Sequence, residues 1–214
     1  SSAWPLTFTL CQTRATLPDL RLAMMSGDWI PLDLPTRLWA IAANARAISL
    51  GGATEASIWS IVHPVQEVDG AGGQIPYGRP LRNCRHHILD RHLRHSPDLV
   101  PGEIYVGGAG VGLGYLGDPA RTAERFVDLG GERLFRSGDV GYFRRDGEIE
   151  ILGRTDHQVK INGHRIELGE VEAALAGLPR VRAAAAVAAG QPGTGRWLAA
   201  FAETAVPVDP AELL

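Results

Sequence analysis

The stretch Leu50-Gly-Gly-Ala-Thr-Glu-Ala-Ser-Ile-Trp-Ser60 sets two glycines, hydroxyls, a carboxylate and an indole directly after a short apolar run. A carboxylate behind a Gly-rich turn is commonly a helix cap or a solvated group, so its meaning depends on where the turn sits. Farther on, Ser137-Gly-Asp139 places a two-oxygen acceptor in a turn, and Gly153-Arg-Thr-Asp156 places a guanidinium fork beside another carboxylate. Cys84, His86, His87, His92 and His95 invite a zinc reading, but their spacing fits no standard metal pattern. The run Gly107-Gly-Ala-Gly-Val-Gly-Leu-Gly114 is only loosely a dinucleotide fingerprint, because it lies between short strands and opens no helix.

These groups need elements to hold them. Leu20 to Ser26 reads as a buried strand. A helix follows, with Leu34, Leu38 and Ile41 at helical spacing, and Arg46 to Leu50 reads as a second buried strand. Strand, helix, strand predicts a parallel crossover, which puts Thr54 and Glu55 beyond the carboxyl end of a strand, where open α/β sheets bind ligands. After Val65 the texture changes to short strands, QIPYGRPL, HHILD, GEIYVGG and a long hairpin turning at Arg145-Asp146-Gly147. These predict a small antiparallel barrel or sheet, with a helix capped by Asp118 and opened by Pro119. Beyond Arg154 come a hairpin turning at Asn162-Gly163, a helix, a strand through the alanine run 183–186, expected to be tightly packed, and a strand RWLAAFAE. Asp209-Pro210 starts a helix that stops after one turn, so the chain is expected to continue in a larger polypeptide.

At 214 residues, with a net charge of −3 and a pI near 6.2, the chain can bury a sizeable core and carries no basic stripe for nucleic acid. No apolar run approaches the roughly 20 residues that span a bilayer, and Ser1 to Leu10 lacks signal-peptide character. Two cysteines make no disulfide framework, which leaves a reducing cytoplasm as the default location.

Three segments, GGATEASIWS, GEIYVGGAGVGLGYLGDPARTAERF and RLFRSGDVGYFRRDGEIEILGRTDHQVKINGHRIELGEVE, resemble consecutive core motifs of the adenylate-forming enzymes. The closing IELGEVE points to adenylation domains of nonribosomal peptide synthetases. The resemblance implies an α/β fold. Residues 1–154 would form the C-terminal part of an adenylate-forming core, a parallel sheet segment plus a small antiparallel β-barrel. Residues 155–214 would form the hinge and a partial α+β C-terminal subdomain.

The activity it implies is ATP-dependent adenylation of an amino acid, then transfer to the phosphopantetheine thiol of a peptidyl carrier domain. Glu55 would hold Mg²⁺, Thr54 would hydrogen-bond the α-phosphate, and Gly52 would let the backbone pass close to the nucleotide. Asp139 would accept the ribose hydroxyls and Arg154 would contact the nucleotide. Asp156 to Lys160 would be the hinge about which the small unit turns, and Gly163 would line the pantetheine tunnel.

The sequence departs from the family in three places. Gly51 stands where a tyrosine usually stacks on adenine, and both the phosphate loop and the late lysine motif are missing. The chain by itself is therefore expected to be inactive.

Met24, Ser26, Leu50, Ile58 and Trp59 fall on specificity-pocket positions, and their pattern resembles the cysteine-selective pockets of thiazoline siderophore synthetases such as those for pyochelin and yersiniabactin. L-cysteine is the expected substrate, with serine its competitor. In that subgroup a methyltransferase-like domain is often inserted in the small C-terminal unit, so the implied partners are a carrier domain, neighbouring synthetase domains and such an insertion, not nucleic acid or membrane. The alternatives are an acyl or aryl acid ligase of the same superfamily and a non-catalytic docking platform.

Overall fold

Strand β1 (Leu22–Ser26) buries Ala23 and Met25 and turns Leu22 and Met24 outward, so the apolar run is buried on one face only, against the expectation of a strand covered on both. The computed structural model describes residues 16–66, 74–156, 158–161, 164–190 and 195–204. Helix α1 (Leu34–Ile41), with Pro35 in its first turn, lays Leu34 and Leu38 on Met25 and on Ala47 of strand β2 (Arg46–Gly51). β1 and β2 are parallel, with Met24 opposite Ile48 and Ser26 opposite Leu50, which is the crossover read from the sequence. Strand β3 (Ile61–Val65) adds antiparallel to β2, and the two-residue strand β4 (Arg79–Pro80) pairs only with Ile61 and Val62. Pro64 therefore lies past the reach of β4, where its missing N–H breaks no ladder. The longer strand expected over QIPYGRPL is cut short because Pro76 and Pro80 donate no hydrogen bonds.

A second sheet is antiparallel throughout. It contains β5 (Cys84–Leu89), β6 (Gly102–Gly108), β7 (Phe126–Leu129), β8 (Glu132–Phe143) and β9 (Ile149–Arg154), in the order β5-β6-β8-β7 with β9 on the other half of β8. The β8–β9 hairpin turns where the sequence placed it, with Gly147 N–H donating to Arg144 O at 2.9 Å. Tyr77 and Gly78 N–H both donate to Ile149 O, at 2.9 and 3.2 Å, and so join the two sheets. Ile61, Ile88, Ile104 and Ile149 fill the space between them. Helix α2 (Pro119–Arg125) is capped by Asp118, whose carboxylate accepts from Arg121 N–H at 2.9 Å.

Past Arg154, strands β10 (Gln158–Ile161) and β11 (His164–Glu167) form the expected hairpin, followed by helix α3 (Leu168–Ala176) and an antiparallel pair, β12 (Val181–Ala189) and β13 (Trp197–Thr204). The alanine run is less packed than its composition suggested. Ala186 is buried, but Ala183 and Ala185 face outward, because α3 covers one face of the pair. The Asn162-Gly163 turn and the Asp209-Pro210 helix start lie outside the described residues. Among the described residues, no helix is long and apolar enough to cross a membrane.

The histidines of β5 have separate structural partners. His86 Nε2 lies 3.2 Å from Ser60 Oγ, both residues buried, and His87 Nε2 lies 3.4 Å from Glu132 Oε2. Burial, and then the neighbouring His87, push the His86 imidazole down to about 4. Between that value and its ordinary value of about 6.5, the unfolded chain binds a proton that the folded chain refuses. Stability should thus fall by about 3 kcal/mol as pH drops from about 7 to 4, through this group alone. Thermal melts from pH 7 to 4.5 should show a steeper loss in the parent than in His86→Gln; equal slopes would show that His86 is not responsible.

Candidate active site

The chain leaves β2 through Gly51-Gly52 and closes a tight turn over Thr54–Ala56. Ser57 and Ile58 follow with φ of 61° and 70°, a left-handed conformation that is costly for a β-branched residue and persists because the surroundings fix it. Ile58 N–H donates to Ala53 O at 3.0 Å and Ser60 N–H to Gly51 O at 2.9 Å. Gly52 has φ of 146°, and a Cβ there would stand 2.5 Å from Ile58 O and 2.8 Å from Ser60 N. Closing this loop is sufficient reason for its glycine, apart from any ligand.

The glycine-rich run after β6 packs on the same turn. Gly112 N–H donates to Glu55 O, and Ser57 Oγ donates to Gly110 O, both at 2.8 Å. From this loop the Tyr115 hydroxyl donates to Glu55 Oε1 at 2.7 Å, and from β11 Arg165 Nη1 reaches the two carboxylate oxygens at 3.1 and 3.4 Å. Burial favours the neutral acid, but the Tyr115 hydroxyl, a backbone N–H and Arg165 together outweigh it, so Glu55 is held below its ordinary range and stays ionised. The Tyr115 phenol moves the other way, to about 12, through burial and its bond to Glu55.

Gly52, Thr54, Asp139, Arg154, Asp156, Lys160 and Arg165 all border one cleft of about 510 Å³. Within it, Arg154 Nη1 donates to Asp139 Oδ1 at 2.6 Å, Nε to Asp156 Oδ1 at 2.7 Å, and Nη2 to Asp156 Oδ2 at 2.8 Å and Ser137 O at 3.0 Å. Arg125 Nη2 approaches Asp156 Oδ2 at 3.4 Å. Burial alone would lower the Arg154 guanidinium, but Asp156 and Asp139 raise it. Burial would likewise raise Asp156, but Arg154 and Arg125 bring it below its ordinary range. Asp139 therefore presents one oxygen to Arg154 and keeps acceptor capacity toward the cleft.

Ser26, Leu50 and Ile58 also border the cleft. Trp59 Nε1–H donates to Ser26 Oγ at 2.9 Å, which ties two of the sequence-derived pocket positions together. Met24 shares the outward face of β1 with Ser26 but does not border the cleft; it is 44% exposed, as Ile58 is 64% and Trp59 38%. Asp156 lies two residues past the end of β9, whereas Lys160 sits mid-ladder in β10, opposite Arg165. Gly163 lies outside the described residues.

Three participants escaped the sequence reading: Tyr77, which borders the cleft, and Tyr115 and Arg165, which hold Glu55. Tyr115 is signalled only by its place in the glycine-rich run. Arg165 lies 110 residues from Glu55, beyond the reach of any local pattern.

Residues 5–116 match the AMP-binding enzyme family. The chain is 51% identical, over 197 residues and 92% of its length, to the pyochelin synthetase PchF of Pseudomonas aeruginosa, of which it spans 11%. Among solved structures it is similar to the nonribosomal peptide synthetase FmoA3 in its α-methyl-L-serine-AMP bound form, at a TM-score of 0.66 and 45% identity, covering 78% of this chain and 19% of that one. It is also similar to holo-PA1221, a synthetase protein with adenylation and PCP domains bound to a vinylsulfonamide inhibitor. That match has a TM-score of 0.84 and 28% identity, covering 98% of this chain and 37% of that one.

Arg154 bonds both Asp139 and Asp156, so Arg154→Met should leave the Asp139 carboxylate uncompensated and Asp156 with Arg125 alone, at 3.4 Å. With 16% and 19% of the Arg154 and Asp139 side chains still exposed, the expected cost is about 1 to 2 kcal/mol, below that of a fully buried pair. Adding Asp139→Asn should recover part of it. Urea melts of the two single variants and the double variant test this; strictly additive losses would deny the coupling.

Proposed function

The chain belongs to the AMP-binding enzyme family, and from that membership we propose that it supplies the nucleotide-binding and acid-selecting part of a ligase that activates an amino acid by adenylation. Its setting would be nonribosomal peptide synthesis, with L-cysteine as substrate and a peptidyl carrier domain as acceptor. The observation that carries the reading is the convergence of Thr54, Asp139 and Arg154, far apart in sequence, on one cleft beside an ionised Glu55. A platform for docking alone has no use for separated hydroxyl, carboxylate and guanidinium groups aimed into a common space.

Each group has a task it can perform. Asp139, anchored by Arg154, offers acceptor oxygen to the ribose hydroxyls of ATP. Thr54 offers its hydroxyl to the α-phosphate. Glu55 suits Mg²⁺: an ionised hard-oxygen ligand, single rather than clustered, as Mg²⁺ prefers when phosphates supply its other ligands. Bound there, the ion would neutralise phosphate charge during displacement of pyrophosphate. Arg165 already sits on that carboxylate, so metal and guanidinium compete for Glu55, and movement of the β10–β11 hairpin away from it would open the site. Asp156, at the junction with that hairpin, is the hinge position this reading favours. A phosphopantetheine thiol, brought by the carrier domain, would take the acyl group in the second half-reaction.

In the synthetase polypeptide that contains this chain, Glu55→Gln should lower amino-acid-dependent pyrophosphate exchange into ATP by about 30-fold or more, a loss of about 2 to 4 kcal/mol. Arg165→Ala should instead lower the Mg²⁺ concentration needed for half-maximal exchange. Wild-type exchange by Glu55→Gln at limiting Mg²⁺ would remove Glu55 from the metal site.

Cysteine rests on the pocket pattern. Ser26, positioned by Trp59, can hydrogen-bond a thiol or hydroxyl, and Leu50 with Ile58 limits size. Exchange should favour L-cysteine over L-serine, L-valine and L-phenylalanine, with the narrowest margin over serine. Trp59→Ala should weaken cysteine activation and admit larger apolar acids, whose exclusion is worth about 1 to 3 kcal/mol. Preference by the parent for an aromatic or charged acid would overturn cysteine while leaving adenylation intact.

A further inference from the structure

Gly51 and Tyr77 compete for one volume. A Cβ built on Gly51 would fall inside the Tyr77 ring, against Cε2, Cζ and Cδ2, so a side chain at position 51 and the ring at position 77 exclude one another. The ring is fixed from three sides. The Gly52 backbone N–H faces its hydroxyl, His86 meets it edge-on at 6.4 Å between centroids, and its own N–H is tied to Ile149 O. Burial, and then the Asp139 carboxylate, raise its phenol, which keeps the ring neutral. Tyr77 nevertheless remains on the wall of the cleft, together with the apolar Ile75, Pro76 and Ile151 and close to Asp139.

An aromatic face held rigid beside a ribose-binding carboxylate, with aliphatic side chains along the same wall, is a stacking surface for a planar base. We propose that Tyr77 is the base-positioning residue of this cleft, delivered from the segment between β3 and β4 where the two sheets meet, and that Gly51 is glycine to admit it. The proposal rests on the nucleotide reading of the cleft. It predicts that aromaticity at position 77 governs ATP and leaves the amino acid alone, and that the aromatic group can be moved back to position 51.

The test measures pyrophosphate exchange by the full-length polypeptide, varying ATP at saturating amino acid and the reverse, with melting temperatures for every variant. Tyr77→Leu should raise the KM for ATP about tenfold and shift the amino-acid KM less than about twofold. Tyr77→Phe, which keeps the ring and loses the hydroxyl, should stay within about threefold of the parent for ATP. Gly51→Tyr alone should lose ATP affinity or folding, whereas Gly51→Tyr combined with Tyr77→Gly should bind ATP better than Tyr77→Gly alone. An unchanged KM for ATP in a folded Tyr77→Leu, equal rises in both KM values, or no recovery in the double variant would overturn the proposal. Asp139→Ala serves as the control. If it impairs ATP while Tyr77→Leu does not, only the role of Tyr77 fails; if neither does, the nucleotide reading fails with it.

Discussion

The guanidinium of Arg154 is the point to which the candidate site is tied. Its nitrogens bond Asp139 and the Ser137 carbonyl on β8 and Asp156 just past β9. One planar fork thus ties together the long strand β8, the orientation of the Asp139 carboxylate and the start of the segment leading to the β10–β11 hairpin. No lysine could do this, because a point charge with three rotating donors cannot satisfy four acceptor oxygens in fixed directions. The bonds lie in a half-buried setting, where charge-assisted contacts are stronger than at an open surface and their loss is correspondingly costly.

Around that fork, the site is assembled from loops whose conformations are set elsewhere. The Thr54–Ala56 turn is closed by left-handed Ser57 and Ile58 and pinned by a glycine-rich loop from the second sheet. The two sheets meet through Tyr77, Gly78 and Ile149, above a cluster of four isoleucines. A rigid apolar seam of this kind holds polar groups from separate elements at fixed distances, which a binding cleft needs if its groups are to be in place before a ligand arrives.

The hydrogen-bonded ion pair between Arg165 and Glu55 links β11 to this turn. It spans 110 residues and leaves the carboxylate ionised but occupied. A carboxylate held in that way can exchange one cation for another at little cost, since neither state requires it to be neutral.

Much of this was legible in local pattern. The parallel crossover followed from two apolar runs around a helical spacing, the Asp118-Pro119 helix start from cap chemistry, and the β8–β9 hairpin from Arg145-Asp146-Gly147, because each depends on residues a few positions apart. Thr54, Glu55, Asp139 and Arg154 stood out by type and by a resemblance in order and spacing. What the sequence could not decide was which side chains meet. The one-sided burial of β1, the outward alanines of β12 and the position of Met24 away from the cleft depend on which faces neighbouring elements cover. Tyr77 over Gly51, Tyr115 and Arg165 on Glu55, and Trp59 on Ser26 are long-range contacts. By itself the sequence determined the family, the elements and the reactive residue types, since propensity and motif are local. Only the tertiary structure decided their partners, since hydrogen bonds and ion pairs act over a few ångströms in space, whatever the distance along the chain.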